Sequence, residues 1–214
     1  MGRSDHAPSY AGAVPELAVQ TPCIAEASDV PRLAAILAAA FAGYPLTEWV
    51  VLADARRTER RHTYFELLLD EGCRNGRIVC DEGGHGAAVW FPPGRWSVGL
   101  SDFVRTLPGW LRVTGLRALS SRLRGLYALT QQRPPEGDAW ILEVLGVHPS
   151  AQRRGIGSRL VEYGLEQARR DGVGAFLLTS SREVVPFYTR FGFSVANELA
   201  VPGGPPMWSL WRRP

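Results

Sequence analysis

One stretch leaves this chain little freedom: a buried strand, a glycine turn, a helix and a second buried strand follow one another between Trp140 and Ser180. Trp140 to Val147 is a near-continuous apolar run of strand length, the pattern of a central strand covered on both faces. The loop from His148 to Arg154 leads into a helix predicted over about Gly155 to Arg170, stopped by Asp171-Gly172. Ala175 to Thr179 reads as the next buried strand. A strand, a crossover helix and a strand with short loops imply a parallel pair inside an α/β sheet.

The rest of the chain is read outward from that unit. Cys23 to Ala27 is a short first strand, followed by an N-cap at Ser28-Asp29 and an Ala/Leu helix ending near Gly43. Pro45 breaks the chain before a short helix over Leu46 to Leu52. Asp54 to Cys73 is amphipathic, with Tyr64, Leu67 and Leu68 inward and the Arg56 to Arg61 cluster on a solvated face. Arg77 to Asp81 and Ala87 to Phe91 form a hairpin around Gly83 to Gly86. Trp96 to Leu129 is helical and apolar, interrupted at Pro108-Gly109 and Gly115. Glu183 to Phe191 is a short helix, and Phe193 to Leu199 and Pro206 to Trp211 are the last strands.

Met1 to Thr21 is Pro/Gly/Ala-rich without the plan of a signal peptide, and is expected to be a flexible tail preceding one domain over 22–214. A helical insertion is expected at about 95–133. Three cysteines, Cys23, Cys73 and Cys80, have no CxxC spacing and suit reduced, buried thiols in a cytoplasmic protein. The four histidines form no ligand pair, so no metal is expected. All basic residues are arginine. The absence of lysine excludes Schiff-base chemistry and the P-loop. A net charge of +3 spread along the chain speaks against a nucleic-acid partner, which asks for a concentrated basic patch. No apolar run suggests a membrane partner.

Gln152-Arg153-Arg154-Gly155-Ile156-Gly157-Ser158 is the segment with the most chemistry. Its glycines let a ligand approach the backbone. The N–H groups of the helix start and the helix dipole favour an anion there, with Arg153, Arg154 and Arg159 at hand. A bland strand-to-helix loop is the competing reading. A dinucleotide site is excluded, because Leu160 stands where GxGxxG needs its third glycine and the next strand ends at Thr179-Ser180 without an acid.

The same residues resemble the Q/R-x-x-G-x-G/A signature of the GNAT acetyltransferase superfamily, preceded by L-G-V-x-P as Leu145 to Pro149. Pro186 to Phe193 resembles that superfamily's P-F-Y-x-x-x-G-F element. Asp29-Val30-Pro31, Ala39 to Pro45, Ala88-Val89-Trp90, Ala139-Trp140 and Met207-Trp208 look like the puromycin N-acetyltransferase-like actinobacterial branch. The resemblance implies a GNAT fold: a mixed, mostly antiparallel sheet of about six to seven strands, with a central splayed parallel pair and flanking helices. It implies acetyl-CoA as acyl donor and, as partner, a small-molecule amine such as an antibiotic or secondary metabolite, in a monomer or homodimer. Another acyl-CoA donor, a protein amine or a non-catalytic CoA sensor are the alternatives.

By that resemblance, Leu145, Gly146 and Val147 border the pantetheine, with a strand bulge at Gly146 and the Val147 N–H facing the reacting carbonyl. Gln152, Arg153, Arg154, Gly155, Ile156, Gly157 and Ser158 hold the pyrophosphate, and Phe187 packs nearby. Tyr188 matches the tyrosine that protonates the departing thiolate; its other reading is a packing residue beside Phe187. Glu143, a carboxylate in an apolar strand, is either the amine-deprotonating residue or a structural acid bonded to an Arg or a Trp N–H. Strand alternation groups it with Ile141, Leu145 and Val147. Phe41, Tyr44, Trp49, Trp90 and Thr179 are expected around the acceptor, Trp49 being equally a core residue. Two departures from the family pattern stand out: Val184 where Asn is frequent, and Leu178 where related chains carry Glu.

Overall fold

The structure is a computed structural model and describes residues 22–96 and 100–214. The tail expected over Met1 to Thr21 lies outside the described residues. The elements in chain order are β1 (Cys23–Ile24), α1 (Val30–Ala40), α2 (Pro45–Val50), α3 (Arg57–Asn75), β2 (Arg77–Cys80), β3 (Gly86–Phe91), α4 (Leu100–Thr114), α5 (Leu119–Thr130), β4 (Ala139–Val147), α6 (Ile156–Arg170), β5 (Gly174–Thr179), α7 (Val185–Thr189), β6 (Ser194–Ala200) and β7 (Pro206–Arg212). They form a seven-stranded sheet in the order β1-β2-β3-β4-β5-β7-β6. Every neighbouring pair is antiparallel except β4 and β5, which are parallel as the strand–helix–strand unit requires.

Alternation along β3 divides the core. Ala87, Val89 and Phe91 face α1 and α3, joining Leu33, Leu37, Phe65 and Leu69. Ala88 and Trp90 face α6, joining Leu160, Val161 and Leu177. Trp90 is fully buried there, its indole N–H donating to the Leu160 carbonyl at 3.2 Å. Helix α6 can lie this close only because residue 164 is glycine: a Cβ there would stand 2.1 Å from the Trp90 ring.

Several expectations shift for identifiable reasons. Pro45 starts α2 at its first turn instead of merely breaking the chain, since its missing N–H costs nothing there. Pro108 does not end α4, which packs along α3 and continues to Thr114; the break comes at Gly115, with φ 69°. Strand β1 is only two residues, followed by a 3₁₀ turn over Ala27–Asp29. The arginines of α3 are not all free in solvent. Arg57 pairs with Glu48 at 2.6 Å and Arg60 with Asp54 at 2.7 Å, clamping α3 to α2 and its loop.

Candidate active site

The parallel ladder is short. Ala139 to Leu142 pair with Gly174 to Leu177, and beyond that the two strands part. The cause lies on the other side of β4. Val89 and Trp90 are adjacent on β3, yet they pair with Val144 and Leu142, which leaves Glu143 as an extra residue. Such a bulge bends its strand and increases the local twist, carrying β4 away from β5. The sequence reading placed the bulge at Gly146; it falls at Glu143 because the register is decided by β3. The same extra residue resets the alternation. Ile141 and Val144 pack in the α1/α3 cluster while Leu145 and Val147 pack on the α6 side. Glu143 therefore does not share a face with Leu145 and Val147 as alternation implied.

The resulting gap holds a cavity of about 110 Å³ walled by Phe41, Tyr44, Tyr64, Glu143, Thr179 and Tyr188 among others. Tyr44 caps the start of α2, and its hydroxyl shares a 2.8 Å hydrogen bond with that of Thr179 and accepts the Ser180 N–H at 2.9 Å. The Ser180 hydroxyl accepts the Leu46 N–H at 3.0 Å. These bonds tie α2 to the end of β5 and fix the width of the gap. Tyr188 enters from α7 and is 9% exposed, held edge-on by Phe187 and Phe193 with centroids 5.0 and 5.9 Å away. Burial, reinforced by the Tyr44 phenol, raises its pKa above the ordinary tyrosine range, so it stays a neutral proton donor. Leu178 and Val184 present only carbon to the gap.

At one end of the gap lies the glycine turn. The His148 N–H donates to the His85 carbonyl at 2.7 Å, so it points to β3. Alternation then turns the polar groups of Val147 to the opposite edge, the one β5 has left. The Gln152 amide donates to the Val147 carbonyl at 3.2 Å. The chain folds through a 3₁₀ turn at Pro149–Ala151, a left-handed Arg153 with φ 62° and a left-handed Gly155 with φ 78° before α6 begins at Ile156. No side chain caps this helix, so the first-turn N–H groups of Ile156, Gly157 and Ser158 lack intrahelical partners. Ile156 itself is buried and anchors the turn, leaving its backbone to face outward, while Arg153 and Arg154 are exposed. A Cβ at Gly157 would stand 3.6 Å from Phe187 Cζ, an ordinary contact. Packing within the protein therefore does not demand this glycine; open space above the first turn is what it preserves.

Glu143 stands where the gap meets a second, larger cavity of about 440 Å³ between the sheet and helices α3, α4 and α5. The Trp96 indole donates to Glu143 Oε2 at 2.6 Å. Loss of water around the carboxyl pushes its pKa up to about 7, against the pull of that indole and with a small push from Glu71. Tyr64, Trp96, Trp110 and Leu126 line the larger cavity and were not singled out from sequence as site residues. For Tyr64, Trp110 and Leu126 the amphipathic spacing on α3 to α5 was the available signal, but it reads the same for a core. Two expected acceptor residues lie elsewhere. Trp90 is buried under α6 on the other side of the sheet. Trp49 packs beneath α5 with Val201, with the Arg122 guanidinium 4.5 Å from its ring, because the insertion covers it.

Residues 112–193 match the family model described as acetyltransferase (GNAT) family. The chain is 31% identical over 105 residues to mycothiol acetyltransferase of Nocardia farcinica, an alignment covering 44% of this chain and 34% of that protein. It is 39% identical over 56 residues to tRNA(Met) cytidine acetyltransferase of Aeropyrum pernix, covering 26% of this chain and 8% of that one. The chain thus spans about a third or less of the length of these curated relatives. A Corynebacterium glutamicum structure described as a histone acetyltransferase and related acetyltransferase superposes with a TM-score of 0.69 at 21% identity, covering 91% of this chain and 96% of the other, a likeness of fold. The family match falls on the bulged strand, the glycine turn and the Tyr188 helix, so this part of the chain is similar to GNAT acetyltransferases, and the sheet has the fold of that solved structure.

Proposed function

We propose that the protein is an N-acetyltransferase that moves the acetyl group of acetyl-CoA directly to the amine of a small molecule. The observation that carries this reading is the gap opened by the Glu143 bulge, with an anion-ready turn at one end and a half-buried carboxyl and a buried phenol at the other. The fit to the donor rests on three features. The uncapped first turn of α6 and the left-handed Arg153 and Gly155 aim N–H groups outward, which suits a pyrophosphate. Arg153, Arg154 and the Ser158 hydroxyl lie beside them, and Gln152 braces the turn against Val147. The free edge of β4 at Leu145 and Val147, beside Gly146 and Phe187, offers backbone groups to an extended arm.

When bound, the donor supplies an activated thioester carbonyl. Glu143 takes the proton from the attacking nitrogen, for which a pKa near 7 is well matched at neutral pH. The Val147 N–H donates to the carbonyl oxygen as charge grows there. As the nitrogen–carbon bond forms and the carbon–sulfur bond breaks, Tyr188 gives its proton to the departing sulfur. Water then returns a proton to Tyr188 and removes one from Glu143.

In this reading the protein acts in the cytoplasm on an antibiotic-like or secondary-metabolite amine; no helix among the described residues is long and apolar enough to cross a membrane. The GNAT resemblance and the substrate-sized cavity beside the gap support a small acceptor. The test is release of free thiol from acetyl-CoA across a panel of amines that includes puromycin-like aminonucleosides, with the acetylated amine identified by mass. CoA binding without turnover of any amine would favour a sensor over an enzyme.

A further inference from the structure

The larger cavity narrows the acceptor further than the family does. Its walls are carbon on most sides, from Leu67, Phe91, Trp110, Leu126, Ile141 and Met207. Three carboxylates reach it, and two are already matched. Asp102 is bonded by Arg105 at 2.8 Å, and Glu71 by Arg74 at 2.9 Å with Arg105 at 3.9 Å. Glu143 alone among these three has no cationic partner among the described residues, only the Trp96 indole. It also lines both cavities.

We propose that the acceptor is a monoamine on an aromatic or branched aliphatic body, seated in this cavity with its nitrogen beside Glu143 at the mouth of the gap. The inference rests on the acetyl-transfer reading above. One unmatched carboxylate answers one ammonium. A second ammonium, as on a polyamine, would meet carbon, Arg124, or the Glu71 and Asp102 carboxylates that Arg74 and Arg105 already neutralise. A sugar or a peptide would leave hydroxyls or amide groups unpaired against the same walls, a loss that outweighs the burial of their few carbon atoms. A long acyl chain from the donor would surround the Glu143 carboxyl with hydrocarbon, which is costly for a group that titrates near neutrality. Glu143 takes the proton as the amine nitrogen bonds to the carbonyl carbon, and the sulfur leaves with the proton of Tyr188.

The test compares 2-phenylethylamine and isoamylamine with spermidine, glucosamine and a short peptide, using acetyl-CoA, alongside octanoyl-CoA as donor. Leu123→Trp projects into the cavity from α5 without belonging to the packed core clusters. The apolar amines are expected to be turned over fastest, and Leu123→Trp to raise their KM by about tenfold or more with acetyl-CoA binding unchanged by calorimetry. Should that variant fail to fold, Leu123→Ala is expected to lower KM for a bulkier amine such as naphthylmethylamine. Faster turnover of spermidine, glucosamine or peptide, unchanged KM in the variants, or a preference for octanoyl-CoA that Leu123→Trp abolishes, would each overturn the acceptor assignment. Absence of acetyl-CoA binding, or binding without turnover of any amine, would instead overturn the transfer reading on which it stands.

Discussion

Replacing Glu143 by glutamine keeps the shape of the side chain and a carbonyl oxygen for the Trp96 indole, but removes the ionisable group. In the folded protein the carboxyl titrates at about 7 against an ordinary value of 4.5, chiefly because burial disfavours its charge. A folded pKa above the unfolded one means that stability is fully present below pH 4.5 and is lost as pH rises to about 7 and beyond. At about 1.4 kcal/mol per unit the ceiling on that loss is on the order of 3 kcal/mol, lowered by any water in the cavity. Glu143→Gln escapes it. Thermal unfolding from pH 4 to pH 9 is therefore expected to show the variant matching wild type at the acid end and melting above it at the alkaline end. The difference should be several degrees, since 1 kcal/mol moves the midpoint by about 2–4 °C in a domain of this size. The same variant should lose about 10²–10⁴-fold in turnover, together with the acid limb near pH 7 in the wild-type rate profile. A variant less stable than wild type, by a margin growing with pH, would show an ionised Glu143 in a favourable pair and refute the reasoning. An unshifted rate profile would make the residue structural.

Two further substitutions probe the gap. Tyr188→Phe should lower kcat by about 10–100-fold with little change in acetyl-CoA affinity, less than a full general-acid effect because water can also protonate a thiolate; single-turnover kinetics with a titration check this. Tyr44→Phe removes the bond to Thr179 and strands the Ser180 N–H. Chemical unfolding should report a loss of about 1–3 kcal/mol.

What could be read from the sequence is what is local in it. The β4–turn–α6 unit is contiguous, so its apolar run and its glycines mark the strand, the turn and the helix start directly, and Gly155 does take the left-handed conformation that only glycine adopts without cost. The parallel pair was legible for the same reason, while the mostly antiparallel sheet and the splay of that pair came from the resemblance. Long-range register was not. The bulge at Glu143 exists because β3, far earlier in the chain, pairs out of step, and no property of Leu142-Glu143-Val144 announces it. That one step decides that Glu143 faces the cavities while Leu145 and Val147 face α6. Trp90 was misplaced because its alternation phase is invisible until the partner under α6 is known, and Trp49 because the insertion covers it. The larger cavity arises from α3, α4, α5 and the sheet meeting in space, so residues such as Trp96 and Leu126 carry no signal of it in their own segments.

The donor site is the foundation of the account, and a calorimetric titration of acetyl-CoA into wild type and Gly157→Val tests it most directly. The first side-chain carbon at 157 fits at ordinary contact distance from Phe187 and Val147, so the variant is expected to fold and melt close to wild type. Its branched side chain fills the space over the first-turn N–H groups of α6. Saturable binding to wild type and none to the variant is the predicted result. Equal binding by both proteins, or no binding to wild type, would contradict it.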